Sequence, residues 1–70
     1  MDRKRVNASK IRSVGYEPSS QTLEVEFSSG NIVQYSRVSA ELHRRFMSSP
    51  SPNSFFEDNI EEAFTAKRMR

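Results

Sequence analysis

The stretch from Leu23 to Tyr35, LEVEFSSGNIVQY, leaves this chain the fewest choices of fold. Leu23, Val25 and Phe27 alternate with Glu24 and Glu26, the period-two pattern of a strand with one dry face and one wet face. Ser28-Ser29-Gly30 breaks the run, and Asn31-Ile32-Val33-Gln34-Tyr35 resumes it with β-branched and aromatic residues. Glycine in third place suits a three-residue hairpin loop, whose last residue needs positive φ. In that register Leu23, Val25, Phe27, Val33 and Tyr35 share a face, and Glu24, Glu26, Ile32 and Gln34 take the other. A two-residue loop would instead put Ile32 with Phe27 and turn Val33 and Tyr35 outward, because a slip of one residue exchanges faces. The three-residue loop is the favoured register.

A chain of 70 residues makes one domain. One this short buries only roughly 60% of the surface its unfolded form exposes. There is no cysteine to staple so small a core or to supply a thiolate ligand. Met1-Asp2-Arg3-Lys4-Arg5 is followed by no apolar run, so neither a signal peptide nor a membrane span is read; a complete, cytoplasmic chain is expected. Lys and Arg number 11 against 9 acidic residues, a net charge of only +2. Distribution matters more than that total. Positive charge gathers in Arg3, Lys4, Arg5, Lys10 and Arg12, then in Arg37, Arg44 and Arg45, then in Lys67, Arg68 and Arg70. Negative charge sits on the central strand and in Glu57, Asp58, Glu61 and Glu62. A basic side results if the three groups converge.

Residues 1–8 are polar, charged and without period, and read as a flexible basic arm ahead of a single domain over residues 9–68. Ile11-Arg12-Ser13-Val14-Gly15-Tyr16 reads as a first strand, with Gly15 suggesting a bulge that reconciles its two parities. Glu17-Pro18-Ser19-Ser20-Gln21 is a turn. After the hairpin, Ser39 is the predicted N-cap of a helix from Ala40 to about Met47, with Leu42 and Phe46 towards the sheet and His43 and Met47 in the adjacent row. Pro50 and Pro52 stop it. Ser54-Phe55-Phe56-Glu57 matches a capping box, and Phe56, Ile60, Ala63 and Phe64 follow at helical spacing. Lys67 and Arg68 would close that second helix, complementing its dipole. The expected fold is α+β: a three-stranded antiparallel meander followed by two helices on one sheet face, βββαα.

In this order the residues resemble a known family. Ser9, Ile11 and Val14-Gly15-Tyr16, then Leu23-Glu24-Val25-Glu26-Phe27 and Gly30, then Tyr35 and Val38, are similar to the KTSC domain. Ser51-Pro52-Asn53-Ser54-Phe55-Phe56 with Ile60 is similar to that family's serine-glycine-aromatic-aromatic-isoleucine segment. The resemblance runs over about residues 7–68. It implies a small domain found alone or appended to some lysyl-tRNA synthetases, for which that association suggests RNA binding. Three positions depart from the family pattern. Val33-Gln34-Tyr35 keeps one of two expected tyrosines, Asn53 replaces a glycine as the next best left-handed residue, and Glu61-Glu62 brings acid where basic or neutral residues are expected.

Two functional classes stay open. The first is an RNA-binding module in which Arg3, Lys4, Arg5, Lys10, Arg12, Lys67 and Arg68 hold phosphates while Tyr35, and with it Tyr16, stacks on bases. The second is a protein-interaction module using a sheet edge or the helix pair, with no nucleic-acid contact. Against the first, the aromatics can simply be core, and the basic arm a solubilising tail. Phe55 lies off the Phe56–Ile60–Phe64 stripe and either staples the helix start or is exposed. His43, the only histidine, has Ser39, Ala40, Phe46 and Met47 at helical spacing, none of them a metal ligand set or a proton relay. Glu24 and Glu26 share a strand face but need a cleft to do acid–base work. No phosphate-binding glycine loop, nucleophile elbow or metal-ligand spacing is present. Neither enzyme, metal nor cofactor is expected.

Overall fold

The central hairpin forms in the favoured register. In the computed structural model of the chain, which describes residues 3–6 and 8–70, Val25 lies opposite Val33 and Leu23 opposite Tyr35. The Phe27 amide donates to the Asn31 carbonyl at 2.8 Å and the Gly30 amide to the Phe27 carbonyl at 2.9 Å, closing a loop of Ser28, Ser29 and Gly30. Gly30 has φ +99°, a conformation that costs a residue without Cβ little.

Among the described residues the sheet has five strands rather than three: β1 (Arg3–Arg5), β2 (Ile11–Glu17), β3 (Thr22–Phe27), β4 (Ile32–Tyr35) and β5 (Ala66–Arg68), antiparallel and in sequence order. Two helices, α1 (Ala40–Ser48) and α2 (Pro52–Asn59), stand between β4 and β5 in the chain. Arg3 to Arg5, expected in the arm, pair with Gly15, Val14 and Ser13 of β2. Positions 1, 2 and 7 of that expected arm lie outside the described residues. Lys67 and Arg68, expected at a helix end, pair with Gln34 and Val33 of β4. Both additions cover strand edges whose amides and carbonyls would otherwise lack backbone partners.

The second helix departs from its expected bounds for a local reason. Proline at its first position has its φ already set for a helix and lacks an amide that would go unpaired, so the helix starts at Pro52, two residues before the predicted cap. Ser54 and Glu57 then lie inside the helix, and the capping box is not used. Asn53 is helical too, without the left-handed backbone expected of it; its side-chain amide donates to Ser9 Oγ at 2.8 Å and its Oδ1 accepts from the Lys10 amide at 3.4 Å, tying α2 to the start of β2. The left-handed non-glycine residues among those described are Gln21 (φ +54°) and Arg37 (φ +63°), each at a chain reversal. The bulge in β2 falls at Arg12, between the Ile11–Phe27 and Ser13–Glu26 pairs, not at Gly15.

Helix α1 follows its signals. Ser39 Oγ accepts the Leu42 amide at 3.1 Å, and Phe46 points into the core. Exchanging an N-cap serine for alanine costs typically about 1 kcal/mol. Ser39→Ala should therefore lower stability by about that much in urea unfolding, while Ser54→Ala, with no cap to lose, should stay within about 0.5 kcal/mol.

Ile11, Val14, Leu23, Val25, Tyr35, Val38, Phe46, Phe56 and Ile60 form the buried cluster, so both helices cover the face carrying Leu23, Val25 and Tyr35. Phe56 sits at its centre, with edge-to-face contacts to Phe27 and Tyr35 at 5.5 Å and a tilted contact to Phe46 at 6.1 Å. Phe55 stacks on Phe46 at 5.8 Å, stapling the two helices. Among the described residues no helix is long and apolar enough to cross a membrane.

Candidate functional site

The strand order decides which charges meet. Arg3, Lys4 and Arg5 occupy one edge of the sheet and Lys67 and Arg68 the other. At roughly 4.8 Å per strand, four spacings put the two edges about 19 Å apart. Arg3–Arg5 and Lys67–Arg68 therefore do not share one patch, although Arg12 and Arg70 meet at the Glu26 carboxylate. Between the edges, on the face away from the helices, lie Ser13, Glu24, Glu26, Ile32 and Gln34.

That face is closed by ion pairs. Glu24 accepts from Arg3 Nη1 at 2.7 Å and from Gln34 Nε2 at 3.1 Å. Glu26 accepts the Ser13 hydroxyl at 2.8 Å, with the guanidinium groups of Arg12 at 3.9 Å and Arg70 at 4.0 Å. The Ser13 hydrogen bond, aided by the charges of Arg3, Arg12 and Arg70, holds the Glu26 carboxyl below its usual range against the opposing effect of desolvation. Lys10 is likewise engaged, by Glu57 at 3.0 Å, and Arg68 donates to Asn31 Oδ1 at 3.1 Å.

Neither tyrosine lies on this face. Tyr35 is 4% exposed and packed on Phe56, and its hydroxyl is pushed up by burial and by the nearby Glu61 carboxylate. The expected base-stacking platform on the sheet is thus not formed: the register that puts Tyr35 beside Leu23 puts it under the helices. Tyr16 is half-buried on the same side, its hydroxyl donating to the Val38 carbonyl at 2.5 Å. Its ring stacks on His43, centroids 4.6 Å apart and planes within 9°.

Around this ring pair the N-terminal and helical cations come together. Lys4, Val14, Tyr16, His43, Arg44 and Met47 line a cleft of about 500 Å³. Met47 and Arg5 share a second concavity beside it, with Val6 and Pro50. Arg5 and Arg12 share a third, with Ala8 and Ser28. Arg44, Lys4, Arg5 and Arg12 thus mark a track along the β1 edge and the adjoining side of α1. Burial and the Lys4 charge both depress the His43 pKa below its ordinary value, favouring the neutral imidazole at pH 7.

A larger cleft, about 570 Å³, opens elsewhere, between Lys10, Phe27, Phe56, Glu57, Glu61 and Glu62. Its rim is acidic. Among the described residues no group of three or more His, Cys, Asp or Glu is placed to hold a metal ion.

Of the residues singled out from the sequence, the structure brings Lys4 and Tyr16 into one cleft and Arg5 and Arg12 into an adjoining concavity. It engages Arg3, Lys10 and, at 3.9 Å from Glu26, Arg12 in ion pairs, buries Tyr35, and sends Lys67 and Arg68 to the far edge. Sequence reasoning does not select His43 or Arg44 as binding residues. For His43 the signal is its row with Met47 beside Leu42–Phe46, which marks the boundary of the apolar face rather than its wet side.

The comparisons agree with the fold. The family model of the KTSC domain matches residues 7–64. An uncharacterized protein of Stutzerimonas stutzeri is 39% identical over 56 residues, covering 80% of this chain and 79% of that protein. A lysine–tRNA ligase of Nostoc is 33% identical over 59 residues, 84% of this chain but 10% of the ligase. The crystal structure of a KTSC domain protein from Yersinia pestis superposes with a TM-score of 0.95 at 33% identity, covering 99% of this chain and 97% of that one.

Proposed function

This chain belongs to the KTSC domain family, and on that premise we propose that it is a small, non-catalytic, cytoplasmic binding module that holds single-stranded RNA along its β1–α1 edge. The observation that carries this reading is the run of adjoining concavities joining Arg44, Lys4, Arg5 and Arg12 through the shared residues Met47 and Arg5. A single strand needs such a groove of cations with ring surface beside it. The sheet face is less suited to the role, since Glu24 and Glu26 already hold its arginines in ion pairs and neither tyrosine lies on it. The ligase relative lends support: its name states an action on tRNA, although this chain spans about a tenth of it.

The test separates the two edges. Three or four phosphate contacts on single-stranded RNA give a log–log salt slope of about −2 to −3. Reversing Lys4 and Arg5 to glutamate should weaken binding of a short RNA at least tenfold and flatten that slope by about 1.4. Lys67→Glu with Arg68→Glu should change affinity less than twofold. Equal losses from both pairs would sink the proposed path. A protein partner is the second reading, favoured by the acidic cleft at Glu57, Glu61 and Glu62, whose apolar floor of Phe27 and Phe56 suits a basic peptide. Binding of that kind is untouched by the Lys4 and Arg5 reversals.

A further inference from the structure

The cleft at the start of the cationic track differs from the rest of it. Its floor holds a parallel ring pair fixed before any ligand arrives, because the Tyr16 hydroxyl is tied to the Val38 carbonyl and His43 is held on α1. Met47 adds a polarizable thioether beside the rings. Lys4 reaches in from β1, and among the described residues no carboxylate lies within ion-pair distance of it; Arg44 has only the exposed Glu41 at 3.8 Å. A bare anion would leave the rings unused, and an uncharged aromatic would leave the cations unused. A ligand with a flat aromatic ring and an anion on a short tether uses both.

We propose that this cleft takes one unstacked nucleotide, its base against the His43–Tyr16 pair and Met47, and its phosphate within reach of Lys4 and Arg44. The assignment rests on the RNA reading and deepens it, because it places a single base rather than backbone alone. The volume of about 500 Å³ lies within the range of small-molecule sites. The neutral imidazole favoured at pH 7 is a π-face that stacks without competing for the phosphate. The larger acidic cleft is excluded as the nucleotide site by its own charge.

The experiment is a chemical-shift titration of the labelled full chain with AMP, with inorganic phosphate at matched ionic strength, and with a single-stranded RNA hexamer. AMP and RNA should both move the His43 ring and the Met47 methyl, whereas phosphate should move only Lys4 and Arg44. His43→Ala should weaken RNA binding by roughly 5- to 150-fold, the span of one lost stacking contact. If that variant also disturbs Tyr16, Lys4→Glu on the exposed edge gives an independent reading and should lower AMP and RNA affinity together. AMP that behaves as phosphate does, or RNA that binds with a steep salt slope while His43 and Met47 stay still, overturns the nucleotide site and leaves the RNA reading standing. Absence of RNA binding at low salt overturns both.

Discussion

Replacing Phe56 with alanine is expected to leave the domain largely unfolded at room temperature. The ring is 4% exposed and touches Phe27, Tyr35 and Phe46, so it joins β3, β4 and α1 to α2. Truncating a buried phenylalanine costs about 3–5 kcal/mol, part lost transfer energy and part the cavity left behind. At roughly 0.05–0.15 kcal/mol per residue, a domain of this size has about 3.5–10 kcal/mol in total. The loss therefore consumes much or all of the stability, and no disulfide is present to limit the damage. Urea unfolding followed by far-ultraviolet circular dichroism should show the midpoint collapsing towards zero denaturant. Phe56→Leu should recover more than half of it, since most of the volume returns. Phe55→Ala, which removes a half-buried ring with one stacking partner, should cost visibly less. Equal midpoints for Phe55→Ala and Phe56→Ala would show that the core has no such hub.

What could be read in advance depended on whether an element carries its own pattern. The hairpin did, through the alternation of Leu23 to Phe27 and the glycine its loop requires, and α1 did, through Ser39 and the prolines that end it. Strands β1 and β5 could not be seen that way. Arg3-Lys4-Arg5 and Ala66-Lys67-Arg68 are three residues each and exposed throughout, so no period two exists in them. Their conformation is set by the open edges of β2 and β4, a demand of the assembled sheet. Helix α2 likewise ends at Asn59, with the Ile60 amide donating to the Phe56 carbonyl, although Ala63, Phe64, Lys67 and Arg68 continue a helical pattern on paper. The burial of Tyr35 was implicit in the hairpin register, which placed it with Leu23 and Val25. The stack of His43 on Tyr16 was not, because it joins residues distant in the chain and only the packed fold brings them together.

Deletion of residues 1–8, which an unstructured arm would tolerate, is instead expected to destabilise the fold and promote self-association. Val6 and Ala8 pack against the core, and the Val6 amide donates to the Arg12 carbonyl at 2.9 Å. Arg3 to Arg5 pair with β2, and Arg3 neutralises Glu24 at 2.7 Å. Losing a half-buried valine and several net hydrogen bonds costs on the order of 2 kcal/mol or more. The consequence for the edge is larger than for the core. With β1 gone, β2 becomes the terminal strand; it is longer than β1, largely buried, and carries Val14, Gly15 and Tyr16 in its second half. Natural edges are short and charged because long apolar ones pair with copies of themselves. Arg3-Lys4-Arg5 is such a guard, three cations on a three-residue strand. The truncated chain should therefore unfold at lower urea and elute as dimers or larger species in size-exclusion chromatography with light scattering, at concentrations where the full chain gives a fixed, concentration-independent mass. Exchanging Arg3, Lys4 and Arg5 together for serine in the full chain separates the two effects: if backbone pairing is what matters, stability largely returns, while the loss of Lys4 and Arg5 still flattens the salt slope of RNA binding by about 1.4. A truncated chain that keeps both its urea midpoint and its mass would mean that β1 contributes nothing to the fold, and the cationic track along it would then lack a rigid base.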